Sequence, residues 1–192
     1  MDAYTKKIVY GMDKIHVAKI SEDGYVTPMA IVGAKDVEAN FEIGDKTIYA
    51  DNKGIYNNKK ISKGSGKLGV IGLTTDEKCL LGGTENMSGG YALADNVIPP
   101  NLALLFAQDK ADGGSLLTVI YNVQFNPVSI AAVTTEDSIE ETKTELDFTA
   151  LVGKDGYWYY TIDTTDSKVD ADMISKFFTE VQLPKIKADS DI

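Results

Sequence analysis

Hydrophobic and polar residues alternate with a period of two over several stretches of this chain. In residues 142–150, Thr144, Leu146, Phe148 and Ala150 fall on one face and Lys143, Glu145, Asp147 and Thr149 on the other, which predicts a half-buried strand. Residues 115–125 put Leu117, Val119, Tyr121, Val123 and Phe125 on one side with Asn122 and Gln124 opposite. Many of these residues are β-branched or aromatic, the types that fit a pleated surface. Turn chemistry falls between such runs: Asp23-Gly24 after Ile20, Asp112-Gly113-Gly114 before Leu116, and Asp155-Gly156 between residues 146–152 and 157–162. Hairpins and antiparallel sheet follow, and the missing strand–helix–strand alternation argues against a parallel α/β fold.

Two short helices interrupt the pattern. Thr74-Thr75-Asp76-Glu77 has the spacing of a capping box, and Gly82-Gly83 ends that helix. A second helix is predicted from after Asp170 to about Val181, with Met173, Ile174, Phe177, Phe178 and Val181 as its apolar stripe and Pro184 as its stop. Residues 52–66, rich in Lys, Asn and Gly and free of acids, read as a long projecting loop, and residues 82–96 as a Gly-rich irregular stretch. The predicted organisation is one domain over residues 1–184 and a polar, flexible tail over residues 185–192. No internal repeat is visible.

Composition narrows the function. The chain has 192 residues, 43% of them hydrophobic and 25% charged, enough for an ordinary core without staples. All its basic residues are Lys, and the net charge is −10. An acidic chain without Arg lacks both the attraction to phosphate and the bidentate fork used to read bases, so specific nucleic-acid binding is not expected. A single cysteine, Cys79, forms no internal bridge. The start of the chain leads into no apolar run of signal-peptide length, and no run reaches a membrane span, so neither secretion nor a membrane partner is expected. Without a secretory signal, the glycosylation match Asn86-Met87-Ser88 is read as chance.

Each hint of chemistry has a structural reading. Residues 64–69, Gly-Ser-Gly-Lys-Leu-Gly, match the dinucleotide fingerprint, yet neither the preceding strand nor the following helix that the motif requires is predicted. His16, the only histidine, lies in an alternating stretch and reads as a packed or surface imidazole. Cys79, beside Leu80 and Leu81, reads as a small buried hydrophobe. Asp163, Asp166, Asp170 and Asp172 lack the central Gly and closing Glu of a calcium loop, and the last two suit a helix start. Tyr157, Trp158, Tyr159 and Tyr160 alternate between two faces and could stack on sugars or fill a core and a subunit contact. The acids from Glu136 to Asp147 read as a solvated face. No catalytic set, cofactor or metal site is expected, and the chain does not read as an enzyme.

Taken in order, several segments resemble the major tail proteins, or tail tube subunits, of long-tailed phages of Gram-positive bacteria. They are Ile8-Val9-Tyr10-Gly11 with His16-Val17-Ala18, Tyr49-Ala50-Asp51-Asn52, residues 67–73 leading to Asp76-Glu77 and Leu80-Leu81-Gly82, and Leu104-Leu105-Phe106. Tyr121-Asn122, the stretch from Thr144 to Ala150, Phe177-Phe178 and Leu183-Pro184 complete the series, which spans residues 7–184.

The resemblance implies a mainly β fold, an antiparallel β-sandwich or barrel with a flanking short helix. It implies a structural virion protein of the tail, made and assembled in the host cytoplasm. Its implied partners are further copies in stacked hexameric rings, a tape measure protein, and tail terminator and initiator proteins. DNA would pass through without specific binding. In that frame Glu136, Asp137, Glu140 and Glu141 are expected to line the bore, where repeated inward lysines would grip DNA. Lys53, Lys59, Lys60 and Lys63 are expected on a loop that reaches an adjacent subunit. The competing expectation is a β-sandwich recognition module that binds carbohydrate or a protein partner, using the strand from Tyr157 to Tyr160.

Overall fold

The computed structural model describes residues 4–50, 53–130 and 143–185. Over these described residues the fold is mainly β and antiparallel with two short helices. In chain order the elements are β1 (Val9–Ser21), β2 (Gly24–Tyr25), β3 (Met29–Ala30), β4 (Ala34–Ala50), β5 (Lys53–Val70), α1 (Thr75–Gly82), β6 (Glu85–Met87) and β7 (Gly90–Ala92). They continue with β8 (Leu102–Lys110), β9 (Ser115–Phe125), β10 (Thr144–Ala150), β11 (Tyr159–Asp163) and α2 (Ala171–Lys176). The chain divides into two compact units, the first formed within Met1–Val32, Asn101–Asn122 and Val152–Ile192, the second within Gly33–Pro100 and Val123–Leu151.

In the first unit β1 pairs with β2, β3 and β8, and β11 pairs with β9 from Tyr159↔Ile120 to Asp163↔Leu116. The predicted turns are present: Lys110 N donates to Gly114 O at 2.9 Å, and Gly113 takes the left-handed backbone that the turn needs. Ala18, Ala103, Leu105, Ala107, Leu117, Val119, Tyr121, Ile162, Met173 and Phe177 form a buried cluster. Ile174, Phe178 and Val181 pack against that cluster, so the apolar stripe foreseen for the second helix does face the core. The helix itself is shorter than its stripe, ending at Lys176 and continuing only as turns in which Thr179 N and Glu180 N donate to Lys176 O.

In the second unit β4 and β5 form a long hairpin, and β10 pairs with β5 from Thr144↔Val70 to Ala150↔Gly64 and with residues 123–125 of β9. The alternation of β10 holds, with Leu146, Phe148 and Ala150 buried and Glu145 and Asp147 exposed. Phe125 and Phe148 meet edge to face at 5.4 Å between ring centres. Such a pair contributes about 0.5–1.5 kcal/mol beyond the area it buries. α1 carries the predicted capping box, since Thr74 Oγ1 accepts from Glu77 N and Thr74 N donates to Glu77 Oε2 at 2.7 Å. Gly83 closes it in the left-handed conformation.

Two expectations need correction. The stretch read as a loop over residues 52–66 is strand from Lys53 onward, so the projecting element is one arm of a paired hairpin. The Asp155-Gly156 turn does not join two strands of one hairpin, because β10 and β11 both pair with β9. Among the described residues, no helix is long and apolar enough to cross a membrane.

Candidate functional site

The β4–β5 hairpin carries the candidate site. β10 accompanies β5 only from Gly64 to Val70, and among the described residues β4 has β5 as its only partner strand. Residues 53–63 therefore continue past β10 paired with β4 alone, for roughly 35 Å at roughly 3.3 Å per residue. The backbone ladder is interrupted between Glu42 and Ile43 and between Ile48 and Tyr49, where one extra residue of β5 bulges out each time. Those bulges explain why the arm was not legible as a strand: they shift the phase of Ile55, Tyr56 and Ile61 and erase the period-two signal.

Apolar side chains lie open along this arm, with Ile43 and Ile55 each 64% exposed, Tyr56 58% and Ile48 49%. Between the two bulges the register is regular, so cross-strand partners share a face and successive residues alternate. Ile43 pairs with Ile61 on one face, and Ile48 pairs with Tyr56 on the other. Lys53, Lys59, Lys60 and Lys63 all sit on β5 and are exposed. Residues 43–63 hold five Lys against two Asp, a net of +3, so the remainder of the chain carries −13.

At the root of the hairpin the solvent-facing side of β4, β5 and β10 is polar. The rows Asp36↔Gly69↔Glu145, Glu38↔Lys67↔Asp147 and Asn40↔Ser65↔Thr149 lie side by side. Lys143 bridges Asp36 at 2.8 Å and Glu145 at 2.9 Å, and Lys67 lies 3.7 Å from Glu145 and 3.8 Å from Asp147. The hydrogen bond from Lys143 lowers the Glu145 carboxyl below its ordinary range. A shallow cleft of about 360 Å³ opens here, lined by Glu38, Asn40, Lys67, Asn126, Asp147 and Thr149 among others. Sequence reasoning did not foresee it, because it depends on register between strands far apart in the chain.

The remaining candidates resolve as structure. Residues 64–69 lie inside β5, with no helix start to hold a pyrophosphate. Their glycines permit close packing: a Cβ on Gly64 would lie 2.8 Å from that of Ala150, and one on Gly66 would overlap Glu38 O and the Phe148 ring. His16 packs against Phe178, with the ring centres 4.7 Å apart and the planes tilted by 38°. Cys79 is half-buried and accepts from the Thr84 hydroxyl. Asp163 pairs with Lys110, Asp166 accepts from Lys168 N, and Asp170 caps α2 by accepting from Asp172 N. That bond to Asp172 N holds the Asp170 carboxyl below its usual value. Of the aromatic run, Tyr157 and Tyr159 are exposed and Trp158 and Tyr160 half-buried, the alternation expected, although the strand begins only at Tyr159. Glu136, Asp137, Glu140 and Glu141 lie outside the described residues. No protein-family model matches this chain, and no curated protein is significantly similar to it.

Proposed function

We propose that this chain is a tail tube subunit of a long-tailed phage, a non-catalytic virion protein that builds a tube from copies of itself. The observation that carries the reading is the β4–β5 hairpin, which runs beyond its own sheet with apolar side chains open and, among the described residues, with no strand on the outer side of β4. A monomer would leave this surface in water, whereas burying what remains exposed of each Ile against a neighbour contributes about 1–2 kcal/mol. The unpaired edge adds backbone donors and acceptors that another strand can satisfy. The ordered similarity of residues 7–184 to the tail tube family gives the form of assembly: hexameric rings, stacked.

In this reading the rings assemble around a tape measure protein between initiator and terminator proteins, in the host cytoplasm, and remain in the virion tail. The net charge of −10 suits a conduit that DNA crosses without being held. Purified protein taken to rising concentration, with and without preformed seeds, tests the proposal by negative-stain microscopy. Annuli or hollow filaments are the expected result. A protein that remains a monomer under all these conditions, or that binds glycans saturably as a monomer, overturns it.

A further inference from the structure

We propose that Asp155 is a site of spontaneous backbone modification, where the chain rearranges to isoaspartate, and that Asp112 is shielded from the same reaction by its ion pair. The inference goes beyond the assembly reading and does not depend on it. Asp112-Gly113 and Asp155-Gly156 occupy turns of the same form. In the first, Lys110 N donates to Gly114 O and Gly113 N to Lys110 O; in the second, Gly153 N donates to Tyr157 O and Gly156 N to Gly153 O. Gly113 and Gly156 both take the left-handed backbone, at φ of 88° and 83°, and a Cβ on either would meet nothing within 4 Å. Backbone and free space therefore match, and the two carboxylates differ.

The Asp112 side chain is only 2% exposed, with Oδ2 accepting from the Lys110 ammonium at 2.9 Å and Oδ1 from Gly114 N at 3.1 Å. The bond from Lys110 lowers its carboxyl below the usual value. Asp155 is exposed, and among the described residues no hydrogen bond or ion pair holds its carboxylate.

The rearrangement needs no oxidant, reductant or co-reactant besides water. The Gly156 nitrogen attacks Cγ of the protonated Asp155 carboxyl, and the N–Cγ bond forms. One carboxyl oxygen leaves as water, taking the acid proton and the amide proton, and a five-membered imide remains. Water then adds to the former main-chain carbonyl of that ring and breaks its bond to nitrogen. The chain now continues through Cγ, and the former carbonyl is the free carboxylate. Glycine permits the ring because it carries no side chain beside the attacking nitrogen. At Asp112 the same closure requires the carboxyl to leave Lys110 and Gly114 N and take up a proton, which strands a buried ammonium.

The product lengthens the main chain of the turn by a methylene. Lys154, the preceding residue, donates to Ser21 O at 2.6 Å and Glu22 O at 3.0 Å, so this turn is fastened to the one between β1 and β2. Isoaspartate at Asp155 therefore loosens that clasp as the protein ages.

Purified full-length protein, held warm at neutral pH for several weeks, tests this by peptide mapping with fragmentation that distinguishes the two isomers. Isoaspartate is expected to accumulate at Asp155, and at Asp112 at least about tenfold more slowly. In urea, where neither turn is folded, the two rates should converge. Asp155→Glu, whose larger ring closes far more slowly, supplies the control for the clasp: amide exchange from Ser21 to Tyr25 should rise on ageing in the parent and stay unchanged in the variant. Folded protein in which Asp112 reacts as fast as Asp155, or in which Asp155 does not react, overturns the proposal. So does a difference between the two sites that persists undiminished in urea, since local sequence and not the ion pair would then set the rates. Equal exchange in aged parent and aged variant overturns the loosening of the clasp.

Discussion

The Lys110 ammonium donates to Asp163 Oδ2 at 2.6 Å, fastening the turn between β8 and β9 to the end of β11. Asp112 Oδ2 at 2.9 Å and Thr165 Oγ1 at 3.0 Å take the other two protons, so a lysine side chain only 3% exposed has every donor satisfied. These bonds raise Lys110, chiefly through Asp163, and the bond from Lys110 is the main cause that lowers the Asp163 carboxyl to about 2.

Because Asp163 titrates below its ordinary value of 3.8, its contribution is complete above about pH 4 and is lost as pH falls toward about 2. The melting temperature followed by circular dichroism should therefore drop through that window. In Asp163→Asn the drop should be smaller, with lower stability at neutral pH. An identical acid limb in the variant would show that the pair does not govern acid stability.

Gly66→Ala should destabilise the second unit by about 3 kcal/mol, the upper part of the usual range for overpacking. The added methyl meets both the Glu38 carbonyl and the Phe148 ring, and the carbonyl can move only by breaking the β4–β5 ladder. Gly72→Ala is the control, with nothing within 4 Å of the new atom, and should stay within about 0.5 kcal/mol of the parent in urea titrations.

Tyr121→Phe should cost about 1 kcal/mol. The buried hydroxyl donates to Gln182 O at 2.8 Å and pins the segment after α2, while Tyr25 donates to Tyr121 O at 3.3 Å. Burial pushes the Tyr25 phenol up to about 12 and Tyr121 higher still, so both act as neutral donors across the usable pH range. Amide hydrogen exchange near Gln182 should rise in the variant; exchange at the parent rate would mean that packing alone holds the segment.

If the acidic residues before β10 face the bore, Glu140→Lys together with Glu141→Lys should leave tubes intact and slow DNA ejection, since each inward lysine recurs in every subunit. Ejection at the parent rate, measured by DNA release from assembled particles, would remove Glu136, Asp137, Glu140 and Glu141 from the lumen.

Much of the fold is legible along the chain. Alternation in β9 and β10, the Thr74 and Glu77 cap and the Asp-Gly turns are local features, and each appears where the residues place it. So is the arm's basic character, which depends only on counting Lys53, Lys59, Lys60 and Lys63 with their neighbours.

What the chain order does not carry is the pairing of distant strands. Two bulges hide β5 behind a broken period, and only the partner strand β4 shows that Ile48 meets Tyr56 on one face and Ile43 meets Ile61 on the other. The same holds for Lys110, whose burial depends on residues 112, 163 and 165 closing around it. Local propensity selects the element a segment forms, whereas register and burial come from contacts between segments that adjoin only after folding.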